Sequence, residues 1–259
     1  GYVFYVSAVI RELLNDENGA YIDYKKAAEL HPDHPVIRAD VLRWAERLGM
    51  TEDLARYRSA WPGVLARSIP PSSAEVILFF EEEFLPFKQE ATLWIPLPSG
   101  WTAIALPVLA SPPSVWPPPV IWEGNEALGR AEPLTDLTAL AARALQERMP
   151  AIATRQIARA VAKGTAVEVA NRQKGGEWAA LLLSLYNLIS ERADLRSWTS
   201  LPARTSIWRG TVPLGEYTFR VEQGGVTSPE LRLTVAPGSR VILWGYRTGR
   251  RASLHGVTF

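Results

Sequence analysis

Residues 62–80, "PGVLARSIPPSSAEVILFF", are where the chain changes period, and that change decides the fold class. The first twelve residues carry proline, glycine and serine without sustained periodicity, which predicts a linker over 62–73. The next seven, "AEVILFF" (74–80), are rich in β-branched and aromatic side chains and predict a strand. Before this point apolar residues recur at helical spacing, and after it strand signals return repeatedly. The organisation expected is α+β: helical hairpins over 1–61, then a mixed helix and antiparallel-sheet domain over 74–259.

Upstream, "VFYVSAVIRELL" (3–14) places Phe4, Ala8, Ile10, Leu13 and Leu14 near the helical period. "NDENG" (15–19) supplies turn and N-cap chemistry for a second helix over 20–31, and "HPDHP" (31–35) stops it. A third helix over 36–48 ends at Gly49, and a fourth runs over 51–61. The chain opens inside a helical pattern, so it reads as beginning within a longer protein.

Downstream, "ATLWIPL" (91–97) and "TAIALPVL" (102–109) read as strands. "SPPSVWPPP" (111–119) predicts extended, proline-stiffened chain whose Trp116 is available to a partner. Helices are expected over 134–149, ended by Pro150, then over 151–173 and 177–191. Arg155, Arg159 and Lys163 fall four apart on one helical face, a solvated face or a contact for an anionic partner. From 203 to 259 the pattern is β-rich, with strands over 203–210, 215–222, 230–236 and 240–247 forming a sheet with one buried face.

Composition narrows the function. The net charge is +1, so the whole chain has no field to gather nucleic acid. Residues 201–259 hold eight arginines against three glutamates, read as the wet face of the sheet. Without cysteine there is no disulfide, thiolate metal site or thiol nucleophile. No run of 18 apolar residues occurs. His31 and His34 flank Asp33 in a turn occupied by helix capping, so no metal or other cofactor is expected. Adjacent strand residues point to opposite faces, so "EEE" (81–83) is no acid/base pair. Nucleophile elbow, phosphate loop and zinc-protease motifs are all missing, and the chain reads as a non-enzyme. A hydrolase with carboxylates converging from distant positions is the rival reading. There are ten tryptophans, among them Trp94, Trp101, Trp116, Trp122, Trp198, Trp208 and Trp244. Most should be core, while an exposed subset would stack on sugar rings and bind peptidoglycan.

Two resemblances add to this. Phe4, Ala8, Ala20, Tyr24, Ala27 and Pro32 resemble a tetratricopeptide repeat in type and spacing, with departures at Ser7 and Arg11. An unrelated helical hairpin is the alternative. The groove of that hairpin pair, with Phe4, Tyr5, Tyr21 and Tyr24, is the expected docking surface for another protein. "ADLRSWTSLPAR" (193–204) resembles the signature of a group of uncharacterised Gram-negative envelope lipoproteins. "LPFKQE" with Pro86, Lys88 and Glu90, "IALP" (104–107) and "RQIARAVAK" (155–163) match in the same order. Leu195 and the acidic "EEEF" (81–84) depart from the pattern. The resemblance implies a protein at the periplasmic side of the outer membrane, held by a lipid anchor outside this chain. It also implies no enzymatic activity and a scaffold part in cell-wall or envelope-machine assembly within a multi-protein complex. Read physically, Asp194, Arg196, Trp198 and Pro202 form a structural junction, with a binding site as the alternative: Asp194 caps a turn or pairs with Arg192 or Arg196, Trp198 packs on the sheet and Pro202 limits the next strand.

Overall fold

The computed structural model describes residues 1–97, 100–172 and 193–259. The helix expected over 177–191 and the side chain of Lys163 lie outside the described residues. The chain forms two compact units, one from Gly1–Phe84, Ser114–Asp136 and Pro202–Phe259, the other from Leu85–Pro113 and Leu137–Leu201. This corrects the expected division at a linker over 62–73, because the helices pack on the sheet and share its core.

The first unit opens with α1 (Tyr2–Leu13), α2 (Glu17–Leu30), α3 (Pro35–Arg47) and α4 (Thr51–Ala60). Local chemistry sets the boundaries. Asp16 caps α2 by accepting from the Gly19 N–H at 3.0 Å, and Pro35 occupies the first turn of α3. Gly49 takes the left-handed φ of 67° that closes α3. Ala8, Ala20 and Ala27 are fully buried, so the first two helices approach closely. Ser7 and Arg11, the departures from the repeat pattern, both donate to Asp23 Oδ2, at 2.6 and 2.9 Å. A polar clasp thus stands where an apolar contact was expected.

The helices cover one face of a five-stranded sheet. In chain order its strands are β1 (Ser73–Phe84), β6 (Glu132–Asp136), β7 (Pro202–Pro213), β11 (Arg240–Thr248) and β12 (Arg251–Thr258); across the sheet they run β12-β11-β1-β7-β6. β1 is central and buried on both faces. Ile77 and Phe79 face the helices with Ile207, while Val76, Leu78 and Phe80 face a second sheet. That second sheet contains β4 (Val120–Glu123), β5 (Glu126–Arg130), β8 (Gly215–Gln223), β9 (Val226–Thr227) and β10 (Leu231–Val235), and Ile121, Phe219 and Val221 fill its inner face. The unit is therefore a stack of helices, sheet and sheet. The chain is α+β, as expected, and its strand pairs are antiparallel except at the centre of the first sheet, where β1 and β11 run parallel.

The second unit holds the antiparallel hairpin of β2 (Lys88–Leu97) and β3 (Gly100–Leu109), with α5 (Leu137–Arg172) against β3. Two expectations change here. Residues 134–136 pair with β7 and bury Leu134 instead of starting a helix. Pro150 does not end the helix, which runs through it, because strong helix formers on both sides outweigh the missing backbone donor.

Candidate functional site

In the second unit, segments distant in sequence meet. Lys88 Nζ on β2 donates to the Arg196 carbonyl at 3.0 Å, and Glu90 Oε2 accepts from the Ala193 N–H at 3.0 Å. Asp194 accepts from the Arg196 backbone N–H at 3.2 Å and from its Nε and Nη2, each at 2.9 Å. Those side-chain and backbone bonds hold the Asp194 carboxyl below the usual carboxylate range. A cleft of about 570 Å³ opens beside this junction, lined by Lys88, Pro107, Arg148, Arg155, Arg159 and Asp194 among others. Each of the four matched segments contributes at least one of these residues. Four cations face one carboxylate, and that carboxylate is already paired with Arg196. Among the described residues, Arg148, Arg155 and Arg159 have no ion-pair partner. Such a cleft attracts and orients anionic groups.

The other signature residues lie apart from the cleft lining. Pro86 is buried and Glu90 exposed. Trp198, expected on the sheet, is 71% exposed. Pro202 starts β7 in the first unit, paired with Phe84.

The first unit contains a cluster that period-based reading missed. The Arg209 side chain has no exposed surface and grips three buried carboxylates. Its Nη2 lies 2.9 Å from Glu12 Oε2 and 2.8 Å from Glu75 Oε2, its Nε 2.7 Å from Glu75 Oε1, and its Nη1 3.2 Å from Asp40 Oδ2. Arg43 reaches Glu12 at 2.5 Å, Arg67 reaches Asp40 at 2.7 Å, and Arg240 reaches Glu75 at 3.0 Å and Glu12 at 3.3 Å. Burial raises the pKa of Glu12 and Asp40, but the arginines outweigh it and hold both below the carboxylate range. Carboxylates clamped in this way are poor proton donors or acceptors near neutral pH.

This cluster corrects two expectations. Arg209 and Arg247 do not belong to a wet sheet face, since both are buried. Tyr5 and Tyr24 do not form a docking groove either. Both are fully buried, the Tyr5 hydroxyl donating to Asp40 at 2.7 Å and the Tyr24 hydroxyl to Glu12. Tyr21 is 3% exposed and donates to Asp53, while Phe4 is half-buried beneath the Lys26 ammonium. Trp116 is also engaged within its unit. The Arg247 guanidinium lies 3.6 Å from its ring centroid, and its Nε1 donates to Glu83 at 3.4 Å. The "EEE" run separates as expected: Tyr2 donates to Glu81, Gln223 to Glu82, and Glu83 accepts from the Gly249 N–H.

Among the described residues, no group of three His, Asp or Glu side chains is placed to hold a metal ion, and no helix is long and apolar enough to cross a membrane. No protein-family model, curated protein or solved structure matches the chain.

Proposed function

We propose that this chain is a non-catalytic accessory or scaffold protein that holds other proteins, and that it recognises a partner through an acidic segment laid in the cleft of the second unit. The observation that carries this reading is a set of cations without an ion-pair partner among the described residues, Arg148, Arg155 and Arg159, in a cleft where four separated sequence segments converge. Along α5 they span twelve residues, about 16 Å at helical rise, a length suited to a short peptide. The arginine-clamped carboxylates of the first unit support a structural use of its acidic residues rather than acid/base chemistry. Exposed apolar residues on α1, Val3 and Ile10, offer a second contact surface. The envelope location, and a lipid anchor outside this chain, rest on the resemblance of the matched segments.

Affinity purification from native Gram-negative membranes tests the proposal. The native protein should recover partners under gentle extraction, and Arg155→Glu/Arg159→Glu should lose them while its melting temperature holds. Recovery of the protein alone, or of the same partners by the variant, contradicts it.

Exposed tryptophans favour a second reading. Trp94 and Trp101 share one face of the β2–β3 hairpin and are 62% and 71% exposed. A glycan-binding role predicts co-sedimentation with isolated sacculi that Trp94→Ala/Trp101→Ala abolishes. Sedimentation no greater than that of a control protein removes this reading.

A further inference from the structure

The charge cluster of the first unit does not balance. Its ion pairs form a closed set within the described residues: Arg43, Arg67, Arg209 and Arg240 pair only with Glu12, Asp40 and Glu75. Four cations against three anions leave one positive charge uncompensated. Beside this set, a cavity of about 580 Å³ is lined by Glu12, Arg43, Arg67 and Arg240, with Trp44 and Ile69 supplying apolar wall. The rim charges cancel in pairs, Arg47 with Glu17 and Arg58 with Glu46.

The layering is directional. The carboxylate side chains of Glu12, Asp40 and Glu75 are at most 2% exposed, while those of Arg43, Arg67 and Arg240 are 13%, 14% and 23% exposed. The anions therefore lie beneath, and the cations form the outer layer. Donors remain there: Arg67 Nη2 and Arg240 Nη2 have no protein acceptor among the described residues, and beneath them Arg43 Nε, shielded from solvent, has none either. A partly buried excess cation with free guanidinium donors is costly unless an anion or water meets it.

We propose that this cavity binds a tetrahedral oxyanion of the phosphate class, received by Arg43, Arg67 and Arg240. Guanidinium groups pair with phosphate by paired N–H donation, and a tetrahedral anion has oxygens for three arginines where a carboxylate has two. The volume exceeds what the anion alone fills, and Trp44, 5% exposed, borders it. A phosphate carried on a small organic group therefore fits as well as the free ion. The proposal rests on the first unit and is independent of the cleft on α5.

The test titrates the full chain with inorganic phosphate, phenyl phosphate, sulfate and acetate at constant ionic strength in chloride. Binding is read by calorimetry and by the Nε–H resonances of Arg43, Arg67 and Arg240. Expected are saturable one-to-one binding of phosphate, shifts of those resonances and a raised melting temperature. Acetate should bind at least about tenfold more weakly. Phenyl phosphate binding more tightly than phosphate assigns the site to an organic phosphate, and equal binding assigns it to the free ion. Arg240→Gln should abolish binding. Should that variant not fold, Arg47→Glu at the exposed rim should weaken binding about tenfold with an unchanged melt. Non-saturating shifts matching those of chloride overturn the proposal, as does acetate binding as tightly as phosphate, or affinity untouched by both variants.

Discussion

A guanidinium with no exposed surface survives in a protein interior only when anions and acceptors surround it, and Arg209 meets that condition with Glu12, Asp40, Glu75 and two tyrosine hydroxyls. These partners come from α1, α2, α3 and β1, so one side chain on β7 ties the helical layer to the sheet. Arg209→Met removes the fully buried guanidinium that three carboxylates share, leaving them only the partly exposed Arg43, Arg67 and Arg240, and should cost about 3–5 kcal/mol, read as a lowered urea midpoint. A loss below about 1 kcal/mol would mean the cluster is dispensable. His34 gives a pH-dependent counterpart. Burial lowers its pKa from 6.5 to about 4, so the folded state prefers the neutral ring. Its contribution is complete above pH 6.5 and is lost as pH falls toward 4, at most about 3 kcal/mol. Melting temperatures from pH 7 to 4 should show this slope, and His34→Gln should flatten it; an equal slope in both proteins contradicts the assignment. Arg209 had one signal in the sequence: period two places it on the same strand face as Ile207, which is core. Its carboxylate partners, spread from residue 12 to residue 75, carried none.

At the scale of elements, local chemistry was legible and pairing was not. Asp16, Pro35 and Gly49 mark helix ends by caps and fixed dihedrals, and β1 declares itself by composition. The parallel pairing of β1 with β11 joins residues about 165 apart, and no local pattern encodes it. The short strands β4, β5 and β6 also escaped, since four or five residues rarely show a period. The cleft was legible only in parts: Arg155 and Arg159 fall four apart on α5, but Arg148 drew no notice and their meeting with Lys88 and Asp194 depends on tertiary folding. Pro150 shows context overriding a breaker. It removes a backbone donor inside α5, so Pro150→Ala should stabilise the protein by about 1–3 kcal/mol, seen as a higher melting temperature. No change would show that the helix is already adapted to proline at that point.

For the whole molecule, two units divide the labour. The first is a three-layer body closed by a buried ion cluster. The second carries an uncharged stretch of sequence, 91 to 109, through its hairpin and sets beside the signature junction a long helix whose cleft arginines have no ion-pair partner among the described residues. The proposed holding of a partner by an acidic segment would use such a rigid body and such an open basic cleft. The most direct test places a photo-crosslinking residue at Ala144, inside the cleft, and separately at Thr154, outside it, in cells that make the full protein. Crosslinks to a partner protein from position 144, lost on Arg155→Glu/Arg159→Glu and absent from position 154, are predicted. Equal crosslinking from both positions, or none from 144, would contradict the account.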